Sequence, residues 1–279
     1  MVTLIFGGSG QLGQELGKRV KNAVMTFNKK QIQGIKIDLE NPLEIEDAII
    51  KLRPETIINA AAMTDVDECE RSKEKSMKIN AESVRHMIRA ASVVKSYFIQ
   101  ISTDYVFDGE KGNYSENDLP NPLNYYGLTK LLGDAYTISY DYSLIVRTSG
   151  VYSNNKNNFP LLVLNSLKQG KQINAVDDMY YSPIHASQLA EAIVELIFQR
   201  RTGIINVASE RVSRYNLAIK IAEESSLDPS LINRVKFKDM KWLAKRPLDS
   251  SLDSSKAKKF IDVDLSLDEG IRRLIKNAI

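Results

Sequence analysis

Cysteine and histidine are nearly absent from this chain: its 279 residues include one cysteine, Cys69, and two histidines. An internal disulfide is excluded, and the residues for a Cys/His metal cluster are lacking. Also missing is any apolar run near the ~18 residues that a membrane-spanning helix needs. The apolar start at residues 2–6 meets glycine too soon to form a signal-peptide core. No charge of one sign dominates, since 38 Lys and Arg stand against 35 Asp and Glu, for a formal net charge of +3. With its basic residues dispersed, the chain does not read as a dedicated nucleic-acid binder, although a local basic patch could meet a phosphorylated ligand. Pro-rich linkers, internal repeats and low-complexity tracts are lacking as well. These absences describe a soluble, cytoplasmic protein with neither nucleic acid nor membrane as a partner.

What is present is a hydrophobic content of 43%, enough to bury a sizeable core. Short aliphatic runs at 2–6, 23–27, 34–37, 56–59, 96–102 and 142–147 predict strands. Amphipathic stretches at 11–21, 43–52, 66–94 (two helices, broken near Ser76) and 124–139 predict the helices between them. Strand–helix alternation of this kind builds βαβ units, and continuous apolar strands belong to a sheet covered on both faces. After Val151 the rhythm changes to helices at 159–169, 186–198, 214–225 and 267–275, with one strand at 203–207. The expected fold is α/β, a Rossmann-type doubly wound parallel sheet with a smaller C-terminal substrate lobe. Residues 1–150 would form an NAD(P)-binding domain. Residues 151–279 would form mainly the substrate-binding lobe, with some segments returning to the first domain.

Gly7-Gly8-Ser9-Gly10-Gln11-Leu12-Gly13 follows the first strand and opens the first helix. Gly7 permits a sharp turn, Gly10 lets backbone approach a pyrophosphate, and Gly13 lets helix and strand pack closely, while the helix N-terminus offers free N–H groups. An ordinary tight strand-to-helix turn would use glycines too, but the position after the first strand of a βαβ unit favours cofactor binding. The second strand ends at Phe27-Asn28-Lys29-Lys30, with no acidic residue to take a ribose 2′-hydroxyl. Lys29 or Lys30 could meet a 2′-phosphate, or the pair could be a solvated loop; the lean is to NADP(H), with NAD(H) possible.

Tyr126 and Lys130 lie four residues apart on one face of a helix. A nearby ammonium favours a phenolate, so Lys130 is expected to lower the pKa of Tyr126, which could then exchange a proton with an oxygen at a carbon exchanging hydride. Such a pair is usually coincidental, but here a Ser/Thr strand end, Ser102-Thr103, falls between it and the glycine turn. Thr103 could hydrogen-bond a substrate carbonyl; Ser102 fits better as a strand cap.

Together these residues resemble the extended short-chain dehydrogenase/reductases, and more narrowly the dTDP-4-dehydrorhamnose reductase family, which includes the regulatory β subunit of methionine adenosyltransferase. The resemblance runs through Gly7–Gly13, Asp38-Leu39, 59–64, Asn80-Ala81, 102–109, 126–130, 147–149, 177–183 and Arg246-Pro247 with 252–256. It implies that Thr103, Tyr126 and Lys130 are catalytic. It also implies that Gly10, Gln11 and Leu12, in the turn from Gly7 through Ser9 to Gly13, lie against the pyrophosphate. Asp38 and Leu39 would lie beside the adenine, Ala61, Ala62 and Met63 along the nicotinamide-side ribose, and Thr103 and Asp104 toward the sugar. Asn59 and Asn80 would shape the backbone. The implied chemistry is hydride delivery from NADPH to the C4 ketone of a nucleotide-linked 6-deoxysugar (dTDP-4-dehydro-L-rhamnose to dTDP-L-rhamnose), with no residue assigned to a metal and the need for a divalent ion left open. The resemblance also admits a homodimer.

Two departures stand out. The family often reads Arg-Thr-Ser-Trp-Val-Tyr, whereas here Gly150 replaces the tryptophan; a later Ser-Trp-Tyr-Glu appears as Ser213-Arg214-Tyr215-Asn216. Both lost aromatics belong to the substrate side in the family. A non-catalytic NADP-binding subunit partnering a methionine adenosyltransferase therefore competes with the reductase, as does a sugar 4-epimerase, which shares the catalytic group but would retain NAD. Trp242 reads as a packing residue and His185 as a helix-start residue.

Overall fold

The computed structural model describes residues 2–276. Seven parallel strands form the central sheet in the order β3-β2-β1-β4-β5-β6-β9. They are β1 (Thr3–Phe6), β2 (Ala23–Phe27), β3 (Ile35–Lys36), β4 (Thr56–Asn59), β5 (Tyr97–Thr103), β6 (Ser143–Thr148) and β9 (Gly203–Asn206). Strand order reverses between β1 and β4, which opens a crevice at the strands' carboxyl ends. The α/β reading holds, and every strand expected for the main sheet is present.

Successive side chains of β1 point to opposite faces, and both faces are covered. Ile5 joins the core formed with Leu12 and Leu16 of α1 (Gln11–Arg19) and Leu189, Ile193 and Leu196 of α8 (Ala186–Phe198). Leu4 and Phe6 pack on the other side with Ile45 and Ile49 of α2 (Pro42–Leu52) and Val84 and Met87 of α5 (Ser83–Val94). A separate core lies C-terminally, where Val163 and Leu164 of α7 (Phe159–Lys168) meet Leu217 and Ile221 of α9 (Arg214–Glu224) and Ile271 and Leu274 of α10 (Leu267–Lys276). Two small sheets flank it: parallel β7 (Ile173–Val176) with β11 (Ile232–Val235), and antiparallel β8 (Tyr180–Tyr181) with β10 (Val212–Ser213).

The helical stretch expected at 66–94 breaks elsewhere than near Ser76. The structure has α3 (Val66–Arg71), a kink at Ser72, α4 (Lys73–Met77) and a π turn at Lys78–Glu82 that leads into α5. Asn80 supplies a physical reason for the π turn: its amide accepts from Met63 N (2.8 Å) and donates to Met63 O (3.1 Å), fastening the loop after β4. The late segment before Pro247 is tied across the molecule, with Arg246 against Asp67 at 2.8 Å and Asn124 donating to the Lys245 carbonyl at 2.8 Å. Trp242 packs edge-on to Phe237, their ring centroids 5.2 Å apart. His185 is the N-cap of α8, accepting from Ser187 N, and burial holds its imidazole down at about 4.

A Cβ on Gly13 would run into the Gly7 carbonyl and lie 2.8 Å from Gly8 Cα, both backbone atoms. Gly13→Ala should therefore lift α1 from β1 and destabilise the fold by about 1–3 kcal/mol, the usual effect of overpacking. Urea unfolding checks this; an unchanged midpoint at unchanged slope would contradict it.

Candidate active site

At the strand reversal a cavity of about 1050 Å³ runs from the glycine turn to Tyr126 and on to the C-terminal side. Gly7 sets its floor: with φ +80°, it lies so close to β4's exit that a Cβ would sit 2.7 Å from Ala61 N. That approach is open only to glycine. The N-cap of α1, Gly10, makes no side-chain cap bond, so the first N–H groups of the helix remain available to an anion. Asn59 holds the opposite lip, accepting from Ala61 N at 3.2 Å while donating to Gln100 at 2.9 Å.

The structure brings nearly all the expected residues to this one cavity: Gly7, Ser9, Gly10, Gln11, Leu12, Lys29, Asp38, Leu39, Ala61, Ala62, Met63, Thr103, Asp104, Tyr126 and Lys130. Gly13 is the exception, buried behind the turn as a packing position. Lys29 and Lys30 are exposed at one end, and Asp38 there accepts from Asn28 at 3.3 Å. The donor set fits a dinucleotide: bare helix N–H groups suited to a pyrophosphate, and two exposed ammonium groups at the cavity's end suited to a further phosphate.

At the other end, Tyr126 and Lys130 project from α6 (Tyr125–Ile138), whose N-cap Asn124 accepts from Gly127 N at 2.8 Å. Lys130 donates to the Ile101 carbonyl at 2.7 Å, and burial lowers its pKa to about 8 against the opposing pull of Asp134. Asp134 in turn accepts from Ser102 at 2.8 Å and lies 3.6 Å from Arg147, a pair fully withdrawn from solvent. Ser102 is thus part of Lys130's support rather than a mere strand cap.

The expected lowering of the Tyr126 pKa does not occur. Burial raises it well above the ordinary value, opposed by a hydrogen bond with Thr103, and the ammonium of Lys130 is directed at a carbonyl. Tyr126 is consequently a protonated phenol, the form needed to donate. Thr103 Oγ1 accepts from Tyr105 N at 3.2 Å and donates to Asp104 Oδ1 at 3.1 Å. Asp104 Oδ2 accepts from Ser149 at 2.7 Å and Ser250 at 2.5 Å. With its oxygens engaged by three hydroxyls, Asp104 steadies Thr103 and the strand end; burial pushes its carboxyl up to about 6.

Tyr105, Met179 and Tyr181 also line the cavity, as do Gly150 and Arg214, the two positions of departure. The first three fall in the stretches 102–109 and 177–183 that carry the resemblance, but no periodicity gives them a role: Tyr181 lies on β8, only two residues long, and Met179 just before it.

The family model described as the RmlD substrate binding domain matches residues 1–279. The chain is 32% identical to the dTDP-4-dehydrorhamnose reductase of Salmonella typhimurium, an alignment covering 99% of this chain and 97% of that protein. A crystal structure of a hypothetical dTDP-4-dehydrorhamnose reductase from Sulfolobus tokodaii shares 54% identity at a TM-score of 0.90, over 96% of this chain and 98% of that one. The dTDP-4-dehydrorhamnose reductase of Bacillus anthracis, solved in complex with NADP, superposes at a TM-score of 0.91 with 28% identity, over 99% and 100% of the two chains.

Asp104 gives a pH-dependent test. Its carboxyl binds protons more tightly folded than unfolded, so its favourable contribution is complete below its ordinary value near 3.8 and is lost as pH rises through about 6. Asp104→Asn lacks that titration. Its stability relative to the parent should rise by about 2–3 kcal/mol between pH 4 and pH 7, each tenfold change in proton affinity being worth about 1.4 kcal/mol. Urea midpoints at both pH values would measure it; a pH-independent difference would show that Asp104 is charged throughout.

Proposed function

The chain belongs to the RmlD substrate-binding-domain family, the family of the dTDP-4-dehydrorhamnose reductases, and from that membership and its own site we propose that it reduces the C4 ketone of dTDP-4-dehydro-L-rhamnose to dTDP-L-rhamnose with NADPH. The observation that carries this reading is the meeting of Thr103, Tyr126 and Lys130 on one cavity with a bare helix N-terminus. In this reading residues 1–150 hold the cofactor and residues 151–279 mainly face the sugar nucleotide. Cytoplasmic location and a homodimer belong to the same proposal; among the described residues no helix is long and apolar enough to cross a membrane.

Bound NADPH supplies a hydride to the carbonyl carbon. The chain's own residues do the rest. The N–H groups at Gln11 and Leu12 take the pyrophosphate, and Lys130 can turn from the Ile101 carbonyl to the ribose hydroxyls. Thr103 turns its single hydroxyl proton from Asp104 to the substrate oxygen, and Tyr126 transfers its phenolic proton to that oxygen as negative charge develops there. Lys130 stays largely charged at neutral pH because Asp134 offsets part of its burial, so it meets the ribose hydroxyls as a cation. A purely cofactor-binding regulatory subunit would make use of Tyr126 and Lys130 but leave the Thr103 hydroxyl only its structural bonds to Tyr105 N and Asp104.

Incubating the protein with dTDP-4-dehydro-L-rhamnose and NADPH, and following loss of reduced-nicotinamide absorbance, tests the reading. No oxidation, together with tight co-purification with a methionine adenosyltransferase, would replace it by the regulatory one. Tyr126→Phe should bind NADPH normally and turn over about 10²-fold more slowly, the scale of a positioned acid. NADPH should bind more tightly than NADH. Because Lys29 and Lys30 are exposed, removing both should weaken NADPH by only about fivefold and leave NADH unchanged, as calorimetric titration would show.

A further inference from the structure

Gly150 is where the aromatic surface common in this family is missing from the chain. Its backbone has φ +48°, and a Cβ there would lie 2.5 Å from Cε2 and 2.7 Å from Cδ2 of Tyr181. A side chain at position 150 and the ring at position 181 therefore exclude one another; the ring occupies the space beside the chain after β6. Tyr181 belongs to β8, where its pairing with Val212 of β10 fixes the backbone. The residue is only 8% exposed, and it lines the same cavity as Tyr126. The guanidinium of Arg214 stands 5.9 Å from its centroid and 5.1 Å from that of Phe159, so ring and cation are packed into one arrangement.

From this geometry we infer that Tyr181 is the aromatic wall of the sugar end: the surface absent at Gly150 is supplied by the neighbouring strand, and its face packs against the apolar C–H side of a 6-deoxyhexose. The inference rests on the reductase reading and names a specificity-determining residue within it. A flat, immobilised ring grips the hydrophobic face and methyl of a deoxysugar without ordering a flexible side chain on binding. It contributes to binding of the sugar and carries no proton, so truncation should raise KM with little change in kcat.

The test uses the full chain with three variants, Tyr181→Phe, Tyr181→Leu and Tyr181→Ala, assayed with dTDP-4-dehydro-L-rhamnose and NADPH. Tyr181→Phe keeps the face and should hold KM within about threefold of the parent. Tyr181→Leu, which preserves much of the volume should the alanine variant fail to fold, and Tyr181→Ala should raise KM about 10-fold or more, the scale of one lost aromatic contact. The inhibition constant of dTDP, which lacks the sugar, and the affinity for NADPH should not move. A KM within threefold of the parent in the leucine or alanine variant overturns the inference, as does a parallel weakening of dTDP. Failure of the parent itself to oxidise NADPH is a separate result: it removes the reductase reading, and this inference with it.

Discussion

The site depends on one steric constraint, the contact of the Gly7 backbone with the chain leaving β4 on one side and with Gly13 of α1 on the other. Each approach is closer than any Cβ permits. Together they draw the start of α1 down onto the sheet where strand order reverses, so the first-turn N–H groups face the crevice rather than solvent. The lip opposite is held just as firmly, by Asn59 on Ala61 and Asn80 on Met63. The floor and lips around the glycine turn are consequently fixed by backbone contacts.

Beneath the reacting end lies a second constraint, electrostatic in kind. Lys130, Asp134 and Arg147 are all nearly or completely withdrawn from water. An isolated buried charge would neutralise itself, and Lys130 is already drawn down toward about 8. Asp134, one turn along the same helix, opposes that displacement, while Arg147, from β6, and the hydroxyl of Ser102 stabilise the Asp134 carboxylate. The cluster leaves Lys130 charged and fixed at neutral pH, able to exchange its carbonyl partner for a ribose. Tyr126, buried beside it without the direct influence of that ammonium, keeps its proton until an alkoxide asks for it.

Legibility in the sequence follows the same division. Strands buried on both faces read as plain aliphatic runs, and glycines forced by close backbone contact read as a spaced motif, so the main sheet and the cofactor turn can be seen without coordinates. Tyr126 and Lys130 are visible because a helix puts residues one turn apart on a shared face. The π turn at Lys78–Glu82 leaves no such mark, since it depends on Asn80 reaching a loop far away in sequence. Likewise the titration of Tyr126 cannot be read from spacing alone, because Lys130's direction depends on the Ile101 carbonyl. Tyr181 has no readable role for want of length: a two-residue strand has no period, and its pairing with Val212 is seen only in the folded chain.

Such short strands have a consequence for how substrate recognition can change. A substitution at Gly7 or Gly13 must contend with close backbone, whereas the opposite end of the cavity is walled by side chains from β8, from the start of α9 and from the chain after β6. Loss of bulk at one of these positions opens space that a residue on another can fill, as the ring of Tyr181 fills the space beside Gly150. Residues 213–216 differ from the family pattern at the same wall, where Arg214 now lies between two aromatic rings. The two departures are therefore spatially coupled through Tyr181, and a change at either position alters the packing of that one ring.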